Sequence, residues 1–391
     1  MNPRCFPTQV RLILAAVLGL LFSLPASGKA DSIPYTFTLI ADTSGPFSDF
    51  LIPAINNNGT VVFRAALRVG GQAVFTGDGG PLTRIVDTTG PFTSFANPVI
   101  DDAGTVAFNA ILATGGRAIF TSSGGSLTPI ANTTGPFNTL GNITINSTGT
   151  VAFVAGLTAG GQGIFTGSGG PLTFIAATGG PLVNLSIPAI GDQGTVVFTS
   201  VLAGGGLGIF TGNGGSLTRI ANTSGPFVGL SPFPDINADG TVAFRGILPG
   251  GVEGIFLSSG GQLEVLADNS GPYRQFGNFL SINNNGTVVF LATLEVGGDG
   301  IFTGPDPVAD RVLAVGDPLF GSTVINLGTP LQTSALNDAG QIVFRADLAD
   351  GRQVLVRADP APAPEPSTLL LFVAGGLGLL GYGMWRRQQT V

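Results

Sequence analysis

One eight-residue segment returns seven times, and the spacing of its copies leaves few folds open. It is NNNGTVVF at 56–63, DDAGTVAF at 101–108, NSTGTVAF at 146–153 and GDQGTVVF at 191–198. It continues as NADGTVAF at 237–244, NNNGTVVF at 283–290 and NDAGQIVF at 337–344. Start-to-start spacings are 45, 45, 45, 46, 46 and 54 residues, so one insertion precedes the last copy, including 304–310 and 317–330. A fixed period of this length means one supersecondary unit copied along the chain.

Each unit holds four short strand candidates. In the first they are 50–55 (FLIPAI), 60–67 (TVVFRAAL), 72–76 (QAVFT) and 81–87 (PLTRIVD), separated by Asn/Gly-rich turns. Asn caps its own turn, and Gly takes positive φ without steric cost. Four antiparallel strands per roughly 45 residues match a propeller blade. A β-solenoid needs a shorter coil, and a sandwich needs about 100 residues.

Strand counting predicts closure into a ring. The segment 35–41 (YTFTLIA) matches the fourth strand of the unit, and 353–357 (QVLVR) matches the third. The last unit therefore lacks a fourth strand, and the N-terminal segment is a spare one. The expected fold is all-β: a seven-bladed β-propeller with four-stranded antiparallel blades, closed by 35–41 completing the last blade. Pairing the two would remove two exposed sheet edges. Phe63, Phe108, Phe153, Phe198, Phe244, Phe290 and Phe344 end the octapeptides, and Phe75, Phe120, Phe165, Phe210, Phe256 and Phe302 recur in the third strand. Rings at fixed strand positions are expected to pack between blades, burying roughly 150–250 Å² each.

The ends differ from the body. Residues 1–30 have Arg4 and Arg11 before an apolar run, Leu12 to Leu24, and then small residues, the pattern of a secretory signal cut after Ala30. The propeller is placed at 31–359, followed by a Pro-rich linker at 360–368. An apolar, Gly-rich stretch at 369–385 is just long enough to span a thin bilayer, and a basic tail at 386–391 would stay cytoplasmic. The only Cys, Cys5, lies in the leader, and there is no His. Between leader and linker stand 11 Arg, no Lys and 22 acids, a net charge near −11. So acidic a body repels phosphate backbones and argues against nucleic acid as a partner.

The C-terminal tail resembles a known address. Pro364-Glu365-Pro366, a short apolar helix and the pair Arg386-Arg387 are similar to the PEP-CTERM sorting tail. That resemblance implies processing by a membrane-embedded exosortase, export to the cell surface or beyond, and a setting of extracellular polysaccharide. The body resembles tandem-repeat surface proteins with an Asn-x-x-Gly-x-x-Ala/Val-Phe motif. Gly191 and Asp101 depart from it where the motif has Asn. This second resemblance implies architecture and address, and no activity.

Catalytic chemistry is sparse. Without His the usual triad base is missing, and a Cys or His zinc site is impossible. No carboxylate pair stands out for glycoside hydrolysis. The expectation is that the chain is no enzyme, with no metal or cofactor, though Ca²⁺ is allowed by the acidic turns. The expected ligand face is the loop after each fourth strand, where Asp42, Asp87, Asn132, Asn222 and Asp268 would ring the channel mouth. The functional expectation is a non-enzymatic exported surface or matrix protein, acting by adhesion or scaffolding in an exopolysaccharide layer. Its partners would be polysaccharide or surface proteins, with the membrane reached through the C-terminal helix. The alternative is a carbohydrate- or Ca²⁺-binding module using the Asp/Asn loops.

Overall fold

A computed structural model describes residues 35–328 and 334–361. The signal at 1–30, the linker with Pro364, Glu365 and Pro366, the apolar stretch 369–385 and Arg386 and Arg387 lie outside the described residues. Among the described residues there are strands and no helix, and so no helix long and apolar enough to cross a membrane.

The strands form seven antiparallel sheets, the blades of one propeller. In the first blade the inner strand is split into Phe47–Phe50 and Ala54–Ile55. Val61–Leu67, Gln72–Gly77 and Thr83–Asp87 follow outward. The split recurs because most units carry Pro in the inner strand (Pro53, Pro98, Pro188, Pro234). Proline has no N–H for the ladder and breaks pairing there. The third and sixth blades have Ile143 and Leu280 instead, and their inner strands run unbroken from Phe137 to Ile145 and from Tyr273 to Ile282. Bulges remain in both, between Leu140 and Ile143 and between Phe276 and Leu280.

Six of the seven octapeptide turns are capped by Asn or, at 101, Asp, and the fourth has Gly191 with no capping side chain. Asn56 Oδ1 accepts from the backbone N–H of Asn58 (3.2 Å) and of Thr60 (2.9 Å). Gly59 closes the turn at φ 77°, a region that a side chain makes costly. The six later copies hold Gly at the same place, with φ between 76° and 83°.

The ring closes as the strand count requires. Tyr35–Asp42 lies antiparallel to Gln353–Pro360, with Tyr35 opposite Pro360 and Asp42 opposite Val354. The seventh blade therefore takes its outer strand from the chain's N-terminal side and its other strands from the C-terminal side. Arg345 Nη1 donates to Phe50 O at 3.0 Å across the boundary with the first blade.

Packing follows the two-residue period of the strands. In Val61–Leu67 the side chains of Val61 and Phe63 share one face, and Val62 points to the other. The Phe rings meet within their own blade: Phe63 lies 5.7 Å from Phe50 and 5.7 Å from Phe75, and Phe47 lies 5.2 Å from Phe75. This aromatic face then rests on the aliphatic face of the preceding blade. The first blade's Phe cluster packs with Ile40, Val343 and Leu355 of the seventh, and the second blade's with Val62 and Val74 of the first. One hydrophobic layer thus separates each blade from the next, because a single small sheet leaves both its faces to be covered.

Candidate functional site

The channel through the ring has a wall of seven apolar side chains. Ile55, Ile100, Ile145, Ile190, Ile236, Ile282 and Leu336 occupy one position in the seven inner strands and line the same cavity of about 110 Å³. Directly above them stands a polar ring from the octapeptide turns. Asn56 Nδ2 donates to Asp101 O of the next blade at 2.9 Å, and Asn337 Nδ2 donates to Asn56 O at 2.9 Å. Asn146, Asn237 and Asn283 repeat this bond, at 3.4, 3.4 and 3.0 Å. One amide therefore does two things: Oδ1 caps its own turn, and Nδ2 holds the neighbouring blade.

A second ring of side chains crowns the first. Asp102 accepts from Asn57 N (2.8 Å) and Asn57 Nδ2 (3.0 Å), and Asp338 accepts from Asn284 N (2.8 Å) and Asn284 Nδ2 (3.0 Å). Asp192 Oδ1 accepts from Ser147 N at 3.0 Å. Burial opposes charge on Asp192, but the bonds from Ser147 and Asn284 outweigh it and hold its carboxyl below the usual range. Three carboxylates and two bridging amides thus surround this mouth, which is negative and largely saturated by its own hydrogen bonds. Among the described residues, no group of three or more carboxylates could hold a metal ion.

One carboxyl of the channel wall is fully enclosed. Asp235 accepts from Ile236 N (2.9 Å) and Ile282 N (3.0 Å). Burial pushes its pKa up to about 7, against the pull of those two N–H groups and the Ser281 side chain. The opposite mouth has another character. Ile52, Asn97, Asn142, Ile187, Phe233 and Phe279 line it, and the Phe233 and Phe279 rings stack at 4.0 Å and 11°.

The loop residues expected to form a ligand face lie elsewhere. Asp42, Asp87, Asn132, Asn222 and Asp268 each end the outermost strand of a different blade, the position farthest from the axis. Their oxygens serve their own turns. Asp42 Oδ1 accepts from Ser44 N (3.0 Å) and Ser44 Oγ (2.5 Å), and the same pair of bonds joins Asp87 to Thr89, Asn132 to Thr134 and Asp268 to Ser270. Asn222 instead closes its turn through its backbone carbonyl, which accepts from Gly225 N at 3.3 Å. The ring does not bring these five together. The side chains it does converge on the axis are the first two residues of each octapeptide. Their local role as caps already accounted for the pattern, which hid the second one.

A family model described as a family of unknown function, DUF7453, matches residues 24–184 and again 161–304. The chain belongs to that family. The two matches overlap and each spans more than three units, as expected when a model of several blades finds more than one register on a DUF7453 ring. No curated protein matches the chain. Among solved structures, it is similar to the oligogalacturonate lyase of Vibrio parahaemolyticus, 13% identical with a TM-score of 0.54, over 85% of this chain and 98% of that one. A second oligogalacturonate lyase, in complex with manganese, is 12% identical with a TM-score of 0.53 over 86% and 99%. The acylaminoacyl peptidase of Pyrococcus horikoshii is 10% identical with a TM-score of 0.51, over 79% of this chain and 51% of that chain. At such identities the likeness shows the fold. It also corrects the expectation that this DUF7453 chain is no enzyme, because the chain superposes on two lyases over nearly their whole length. That expectation rested on the missing His and Cys and on acids with no standout pair, an argument from residue types that says nothing of what the fold hosts.

Proposed function

We propose that this DUF7453 propeller is an exported protein of the cell surface or extracellular matrix, serving adhesion or scaffolding in an exopolysaccharide layer. The observation that carries this reading is the pairing of Tyr35 with Pro360. Both chain ends leave the ring side by side, at the edge of one blade, so a tether there holds the ring by a single blade. Tension on the C-terminal segment pulls Gln353–Pro360 along its own axis, and that strand lies between Tyr35–Asp42 and Ile342–Leu348. Such a pull loads two hydrogen-bonded ladders in shear at once, which suits a domain anchored under load. The signal-like leader and the tail resembling a PEP-CTERM signal supply the address, with an exosortase-type enzyme as the processing partner.

The test is fractionation of cells making the full chain and a chain ending at residue 361. The full chain is expected at the surface or in the matrix, with mass spectrometry showing a new N-terminus near residue 31 and cleavage near Pro364. The shortened chain is expected free in the medium. An uncleaved leader with both chains in the cytoplasm would overturn the proposal.

A further inference from the structure

The boundary between the sixth and seventh blades holds a cleft beside a changed contact. In four blades a Gln or Glu starting the third strand crosses to the next blade and accepts from a backbone N–H of its inner strand, while the second and fourth blades have Arg117 and Leu207 at that place. Gln72 takes Phe95 N at 3.1 Å, Gln162 takes Leu185 N at 2.9 Å, Glu253 takes Phe276 N at 2.7 Å and Gln353 takes Phe50 N at 2.8 Å. The sixth blade has Asp299 at that place. Its side chain is one methylene shorter, and its Oδ1 accepts from Thr293 Oγ1 at 2.6 Å within its own blade. The crossing bond is absent, and a cleft of about 210 Å³ lies there.

The walls of this cleft have the chemistry of a binding site: an apolar floor with a few convergent polar groups. Leu291 is in the floor, and Gly277, in the bulge of Tyr273–Ile282, adds no side chain to fill it. Around them stand Gln275, Thr293, Asp299 and Asn326. Asn326 Nδ2 is held by Asp347 Oδ2 at 2.8 Å, which fixes the amide and leaves Oδ1 to accept. Asp299 has Oδ2 to accept, and the Gln275 amide can both donate and accept. No cationic side chain lines the cleft, so an anionic group finds no partner.

We infer that the cleft between the sixth and seventh blades binds a neutral sugar unit of a polysaccharide, with two adjacent hydroxyls donating to Asp299 and Asn326. The C–H face of the sugar lies on the apolar floor. Hydroxyl-to-carboxylate bonds are the stronger, charge-assisted kind, so Asp299 carries most of the selectivity. This inference deepens the matrix reading by naming its ligand class, and it rests on that reading for the choice of probe.

The experiment is calorimetric titration of the full secreted protein with cellotetraose, maltotetraose, mannotetraose and galactotetraose, with tetragalacturonate as the acidic comparison. Saturable binding of at least one neutral tetrasaccharide is expected. Asp299→Asn and, separately, Gln275→Ala should weaken it tenfold or more with an unchanged melting temperature, whereas Asp102→Asn at the channel mouth should leave it unchanged. The inference is overturned if no neutral tetrasaccharide binds, if tetragalacturonate binds best, or if binding survives both cleft variants. Any of those results leaves surface localisation standing, and mislocalisation leaves the titration standing, so the two failures are separable.

Discussion

Asn284 joins two carboxylates on blades that do not touch: its Nδ2 lies 2.9 Å from Asp192 Oδ2 and 3.0 Å from Asp338 Oδ2. The blade between the first pair carries Ala238, which has no polar side chain to offer, and Ala238 N donates to Asn284 Oδ1 at 2.8 Å. One amide therefore spans three boundaries of the ring.

Replacing Asn284 by Ala removes all three bonds, two of them to carboxylates. Bonds to charged groups are worth about 1.5–3 kcal/mol, and a loss in that range is expected in denaturant unfolding. The loss depends on pH with a definite sign. The folded pKa of Asp192 is held below its ordinary value, so its contribution is present above the ordinary carboxylate range and is lost as pH falls through the folded value. The gap between wild type and Asn284→Ala should therefore be widest near neutrality and shrink in acid.

Asp235 should act in the opposite direction. Its folded pKa of about 7 lies above the ordinary 3.8, so the folded state binds the proton more tightly. Its contribution is complete below the ordinary value and is lost as pH rises toward and through about 7, by at most roughly 4 kcal/mol at ~1.4 kcal/mol per unit. Melting temperature should fall across that window in the wild type. In Asp235→Ala, the residue that three other blades hold at this position (Ala54, Ala189, Ala335), that fall should flatten. A slope unchanged by the substitution would show that Asp235 does not cause it.

The Phe positions separate core from rim. Phe108 is 0% exposed and touches Phe92, Phe95 and Phe120. Phe174 is 52% exposed on an outer strand. Phe108→Ala should cost about 3–5 kcal/mol, as deletion of a buried ring does. Phe174→Ala should cost under ~1 kcal/mol, and comparable losses in the two would contradict the packing described.

The repeat made most of the fold legible before any coordinates, because each octapeptide states its own turn: Asn56 caps, Gly59 takes positive φ, and Phe63 follows two residues after Val61. The spare strand at 35–41 was legible for the same reason, since it carries the outer-strand pattern. The axial ring was not. Asn56 Nδ2 meets Asp101 O one unit on, and Asn337 Nδ2 meets Asn56 O only once the circle brings residues 281 apart into contact. The loop acids Asp42, Asp87 and Asp268 misled because an outer-strand end and a channel mouth look alike in a linear pattern. The cleft at Asp299 was hidden because a shorter Asp in place of Gln or Glu matters only where a neighbour's N–H waits.

The closed ring is most directly tested by joining the two strands that close it. Thr38 stands opposite Arg357, and the chain's one natural cysteine, Cys5, lies in the leader. In the secreted form of the Thr38→Cys, Arg357→Cys double variant, mild oxidation should give one internal disulfide, found by mass spectrometry between peptides holding residues 38 and 357, with a raised melting temperature. Free thiols, or disulfides only between molecules, would mean that the N-terminal strand does not complete the last blade.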